Sequence, residues 1–192
     1  MSGGSFHVHG PHDHEVEHVA HGGERDSFAG RLAVTTAILA TVGALFAYQG
    51  GATQANAQLY KNNAAIKKTE ASNQWNFFQA KSSKQNLAEL GAMLASGEKA
   101  DAFKTEVDRY KKEKAEIQLV AQKFEADAKS WDERSEAEMH VHHRWAQATT
   151  AIQIAIALAA IALLTRRTWL QRGVYGVAGL GLVLGALAIA HI

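Results

Sequence analysis

Three stretches of this chain are almost free of charge: 32–48 (LAVTTAILATVGALFAY), 145–164 (WAQATTAIQIAIALAAIALL) and 173–190 (GVYGVAGLGLVLGALAIA). Each is close to the ~20 apolar residues that cross a bilayer core, the first lying at the short limit of about 17. In a chain of 192 residues too little other polypeptide remains to bury three such helices. Inside lipid every backbone polar group needs an internal partner, so segments of this length and composition become helices. The fold class expected is an all-α membrane protein: three transmembrane helices with a long antiparallel, coiled-coil-like helical hairpin between the first and second.

The flanks agree with that reading. Arg31 precedes the first span, Arg166 and Arg167 follow the second, and Arg172 precedes the third. Trp145, Trp169 and Tyr175 fall near the expected interfaces, where amphipathic rings are enriched. The organisation predicted is a His-rich, largely disordered tail (1–30), a first span (31–49), an extramembrane hairpin (50–144), a second span (145–165), a short basic loop (166–172) and a third span (173–190). The first thirty residues lack the basic start and apolar run of a secretory leader. Three crossings put the arginines before the first span and those of the 166–172 loop on one side, which the positive-inside rule makes cytoplasmic. The expectation is a multi-pass protein of the bacterial inner membrane, N-terminus cytoplasmic and hairpin outside.

Net charge is only +1, which argues against nucleic acid as a partner, because phosphate binding needs a strongly basic face. There is no Cys, so disulfides, thiolate metal sites and cysteine nucleophiles are excluded.

Within the extramembrane region two seven-residue repeats stand out. One runs Ala52, Leu59, Ile66, Asn73, Ala80, Leu87, Leu94; the other runs Phe103, Tyr110, Ile117, Phe124, Trp131, Glu138, Trp145. A heptad repeat keeps one stripe of a helix against a partner helix, so these rows are expected to form the hairpin seam. SGEKA (96–100) separates them, with Gly97 the natural stop. Only Gly50–Gly51 interrupts the junction with the first span, so both hairpin helices should run on into their spans.

The segment NQWNFFQAKSSKQN (73–86) sets three rings among amides and lysines. At 100° per residue Trp75 and Phe78 project away from the Asn73 row, Phe77 leans toward it, and Ala57, Tyr60, Ala64, Ala71 and Ser82 collect on the same far side. This reading gives the first hairpin helix a second adhesive face, with Tyr60, Trp75 and Phe78 as interface residues for a second copy or a partner membrane protein. Asn62, Asn73 and Asn76 beside a seam would fix register.

QWNFFQAKSSK (74–84), the run GATQAN (51–56) and QIAIALAAIALLTRR (153–167) resemble the bacterial membrane-protein family labelled domain of unknown function 4337. Phe77-Phe78 stands where relatives tend toward Tyr-Tyr. The resemblance implies a His/Glu-bearing N-terminus, one span, a charged helical region and two closing spans. It implies no activity, substrate or catalytic residue.

Histidine is the remaining candidate chemistry. His7, His9, His12, His14, His18 and His21 fall within fifteen residues (7–21), among Asp13, Glu15 and Glu17. Imidazole with carboxylate suits a divalent transition metal, and His-rich tracts read compositionally as metal-binding. No other cofactor is implied. A second group, EAEMHVHHRW (136–145), puts Glu136, His140 and His143 on one helical face and Glu138 with His142 on another, without the Glu-x-x-His repeat of di-iron bundles.

Gly181 and Gly185 form one GxxxG in the third span, a spacing that permits close helix packing. Thr35, Thr36, Thr41, Gln147, Thr149, Thr150 and Gln153 are polar but uncharged, and no span holds an internal acid or base, which disfavours proton-coupled transport. No Gly-rich phosphate loop, HExxH or GxSxG is present. Two function classes follow: a non-enzymatic oligomeric scaffold or interaction protein acting through its hairpin, or a channel, transport or metal-handling protein using the N-terminal His tract.

Overall fold

The computed structural model describes residues 25–190, and among them the chain is helical except for short breaks at 95–97 and 166–167 and the final residue. Helix α1 spans Arg25–Leu94, α2 spans Glu98–Thr165 and α3 spans Thr168–Ile189. Each is long and apolar enough in part to cross a membrane. Both long helices pass without a break from an apolar stretch into a polar one. Gly50 and Gly51 lie inside α1, where two missing side chains weaken local propensity without ending the helix.

The turn between α1 and α2 is made by glycine. Gly97 has φ 62°, the left-handed region that a Cβ disfavours. The Ala95 N–H closes the last turn of α1 on the Gly91 carbonyl at 2.9 Å, and the Ala100 N–H opens α2 on Gly97 at 3.0 Å. Glu98 and Asp101 sit in the first turn of α2, where negative charge complements the helix dipole. The second turn is unusual because Arg166, not glycine, takes the positive φ, at 53°.

The chain divides into two compact units: Met1–Gly50 with His143–Ile192, and Gly51–His142. The second is the hairpin, and its contacts straddle Gly97 about equally on either side, which makes the pairing antiparallel. Phe103 lies against Gly91, Glu113 against Lys81, Phe124 against Lys67, Trp131 against Tyr60 and Ser135 against Ala57.

The seam on α2 carries much of the expected aromatic row, with Tyr110, Ile117, Phe124 and Trp131 half-buried. Between those bulky residues, also seven apart, lie Ala121, Ala128 and Ser135, all buried. On α1 the expected seam is displaced. Leu59, Ile66, Leu87 and Leu94 are 55%, 55%, 69% and 79% exposed, whereas Ala57, Ala64 and Ala71 are 1%, 1% and 3% exposed. Small residues at every seventh place let two helix backbones approach closely, and the larger side chains then close over the alanines from both flanks. Here the close approach decides the face and outweighs side-chain size.

The first unit packs α1, α2 and α3 around Leu32, Leu39, Ile152, Ala155, Ala159, Ala162, Val174 and Ala178. Ile152 is its central knob. A Cβ built on Gly43 of α1 would come 3.1 Å from Ile152 Cγ2, and one on Gly181 of α3 would come 2.9 Å from Cδ1. Gly185 plays the same part for Phe46, whose ring lies directly over it and meets Trp145 with centroids 5.2 Å apart. Both glycines of the GxxxG therefore have a named occupant.

Candidate interaction surface

Tyr60, Trp75 and Phe78, expected to face a partner, all contact α2 of their own chain. The Tyr60 ring packs 5.6 Å from Trp131. The Trp75 indole N–H donates to Glu125 Oε1 at 2.8 Å, and the ring meets Phe78 edge-on at 5.5 Å. Lys114 Nζ stands 4.8 Å from the Phe78 centroid, a cation–π contact reaching across the seam. The physical reason is the displaced seam: these rings share a face with Ala57, Ala64 and Ala71, so they flank the close approach. Phe77, expected to lean inward, is 59% exposed.

Ionic contacts frame the same seam. Asp132 receives Lys61 at 2.8 Å and Lys68 at 2.6 Å, two lysines seven residues apart on α1. Hydrogen bonding from Lys61, then from Lys68, holds the Asp132 carboxyl below its ordinary range, and Asp132 in turn raises Lys61. Glu113 is lowered chiefly by Lys81, whose Nζ lies 2.5 Å from its Oε2 in an ion pair. The Ser135 hydroxyl donates to the backbone carbonyl of Ala57 at 2.8 Å. A side chain this short reaches a neighbouring helix backbone only where the axes are close, so the bond is both a consequence of the alanine seam and a marker of its register.

What remains outward on α1 is the apolar row itself. Leu59, Ile66, Leu87 and Leu94 share one heptad position, Phe77 stands near the row's middle, and Met93 adjoins its end, 80% exposed. Sequence reasoning found these residues and assigned them to the wrong side. The repeat of Ala57, Ala64 and Ala71, in phase with Tyr60 and Phe78, was the signal for the true seam.

Among the described residues no group of three or more His, Cys, Asp or Glu is placed to hold a metal ion. His7, His9, His12, His14, His18 and His21 lie outside the described residues. The hydroxyls of Thr35, Thr36, Thr41 and Thr150 each donate to the carbonyl four residues earlier in their own helix, so these polar residues of the apolar segments are satisfied locally.

The profile of the family "Domain of unknown function (DUF4337)" matches residues 28–191. The chain belongs to this family. The match takes in α3, the hairpin and nearly all of α1, so the alanine seam and the outward apolar row both lie within the family's domain. No curated protein and no solved structure matches the chain.

Proposed function

We propose that this protein is a non-enzymatic integral membrane scaffold that associates through its helical hairpin, either with further copies of itself or with a partner membrane protein. The observation that carries this reading is the row Leu59, Ile66, Leu87 and Leu94, more than half exposed along a face of α1 that α2 leaves uncovered. Large apolar side chains recurring along one exposed helix face mark interaction sites. The rings that could have competed for that role are engaged inside the hairpin.

Membrane insertion is supported by the first unit. Half of its buried core residues are alanines and Gly43 and Gly181 admit the Ile152 side chain, while Val34, Ile38, Leu45, Leu164, Leu182 and Val183 are exposed on the three helices. Lipid-facing helices show this arrangement, because small residues let helices approach and large apolar ones meet the acyl chains. By the positive-inside rule Arg31, Arg166, Arg167 and Arg172 mark the cytoplasmic side of a bacterial inner membrane, which leaves the hairpin outside.

The experiment is a mass measurement of the intact complex in nanodiscs. Wild-type protein is expected to be oligomeric or to carry a partner chain. A variant with Leu59→Gln, Ile66→Gln and Leu87→Gln is expected to be monomeric with unchanged melting of the hairpin. A monomeric wild-type protein overturns the scaffold reading.

A further inference from the structure

We propose that the groove between α1 and α3 beside Arg31 is a binding site for an anionic phospholipid, with Arg31 as the ligand of its phosphate. This rests on the reading of the first unit as membrane-spanning.

The groove is lined by Ser27, Gly30, Arg31, Val34 and Thr35 of α1 and by Tyr175 of α3. The five α1 residues are spaced as one helical face, so they present a continuous wall. Its chemistry changes along its length. At one end stand Ser27 and the Arg31 guanidinium, while Thr35 and the Tyr175 hydroxyl, which accepts from Gln171 Nε2 at 3.1 Å, lie level with Val34 further along. One turn further along α1 the wall is Val34, in the apolar stretch that begins at Leu32. A cation followed by hydrocarbon is complementary to a phosphate followed by an acyl chain, and to few other ligands.

Arg31 is held for that task. Its Nε donates to the Ser27 carbonyl at 3.0 Å, which folds the side chain back toward the start of α1, the direction of a headgroup layer. Arg31 is exposed, and a guanidinium held by its Nε still offers two terminal nitrogens for a bidentate contact with phosphate. Arg166, Arg167 and Arg172 belong to the same unit, and none of these four arginines forms an ion pair among the described residues.

Gly30 supplies the space. A Cβ placed there would meet nothing within 4 Å, so the floor of the groove is open at that point. The same openness makes Gly30 a usable probe, since a side chain can be added without a collision in the fold.

The test uses full-length protein in a neutral detergent, incubated with an equimolar mixture of phosphatidylglycerol and phosphatidylcholine bearing the same acyl chains. Retained lipids are counted by native mass spectrometry. Wild-type protein is expected to retain phosphatidylglycerol in preference. Arg31→Gln should lower that preference about fivefold, the effect of one basic group at an anionic surface, while Arg31→Lys keeps most of it. Gly30→Leu should abolish the retained lipid although Arg31 is intact, and Arg166→Gln with Arg167→Gln should leave it in place. Equal retention of the two lipids by wild-type protein overturns the proposal. Unchanged retention by both Gly30→Leu and Arg31→Gln also overturns it, as does displacement by millimolar inorganic phosphate, which would mark a simple anion pocket. Recovery of the protein from lysate without detergent would instead overturn the membrane reading, before any lipid is added.

Discussion

Ile152 Cδ1 occupies the space where a side chain on Gly181 would begin, 2.9 Å from the position of its first carbon. Ile152 is fully buried, so the contact is part of the core of the first unit. Ile152→Ala should therefore destabilise that unit by about 2–5 kcal/mol through lost burial and the cavity left behind. Gly181→Val should also destabilise it, by about 1–3 kcal/mol of overpacking. Combining the two should cost less than the sum, a coupling measurable by thermal unfolding of the four proteins in a double-mutant cycle.

The alanine seam makes a contrast with the apolar row. Ala64→Leu inserts three carbons where α1 and α2 run closest, and should lower hairpin stability by about 1–3 kcal/mol. Trp75→Ala with Phe78→Ala should likewise lower the melting temperature, since both rings contact α2, and should leave the native mass unchanged. Loss of mass without loss of melting temperature in that double variant would return these rings to an intermolecular role.

Acid should loosen the hairpin. Asp132 and Glu113 titrate below their ordinary values of 3.8 and 4.5 when folded. A carboxyl with a depressed folded pKa adds stability that is fully present above its ordinary value and is lost as pH falls through the lower, folded one. Circular dichroism melts should be flat with pH down to about 4.5 and fall below it. Asp132→Asn, which cannot titrate, should flatten that fall and lower stability slightly at neutral pH.

Orientation is read by labelling. A Cys at Gly97 should react with a membrane-impermeant thiol reagent in intact cells, and one at Ser5 should not. The reverse pattern would invert the topology and leave the three helices as they are.

Much of the architecture was legible because it is written in large residues. The three charge-free stretches, the stop at Gly97 and the rings of α2 at seven-residue spacing all stand out from their surroundings. The face of α1 was not legible in the same way. Leu59, Ile66, Leu87 and Leu94 outrank Ala57, Ala64 and Ala71 on any scale of apolar size, yet proximity of backbones favours the smaller set. Arg166 at positive φ was equally silent, since no residue type announces it. The candidate surface was thus found as a list of residues and inverted as a geometry.

The Ser135–Ala57 hydrogen bond joins residues 78 apart in the chain, whereas Phe103 meets Gly91 across only a few turns of helix around Gly97. Closing a short loop costs less entropy than closing a long one, which favours the contacts nearest the Gly97 turn as the first to form. During synthesis the whole of α1 is complete before any of its partner exists, and its alanine face waits bare until residues 98–135 have emerged. The leucine row is bare throughout that interval too. A nascent α1 thus exposes two rows, one of alanines and one of leucines, of which the paired hairpin covers only the alanines.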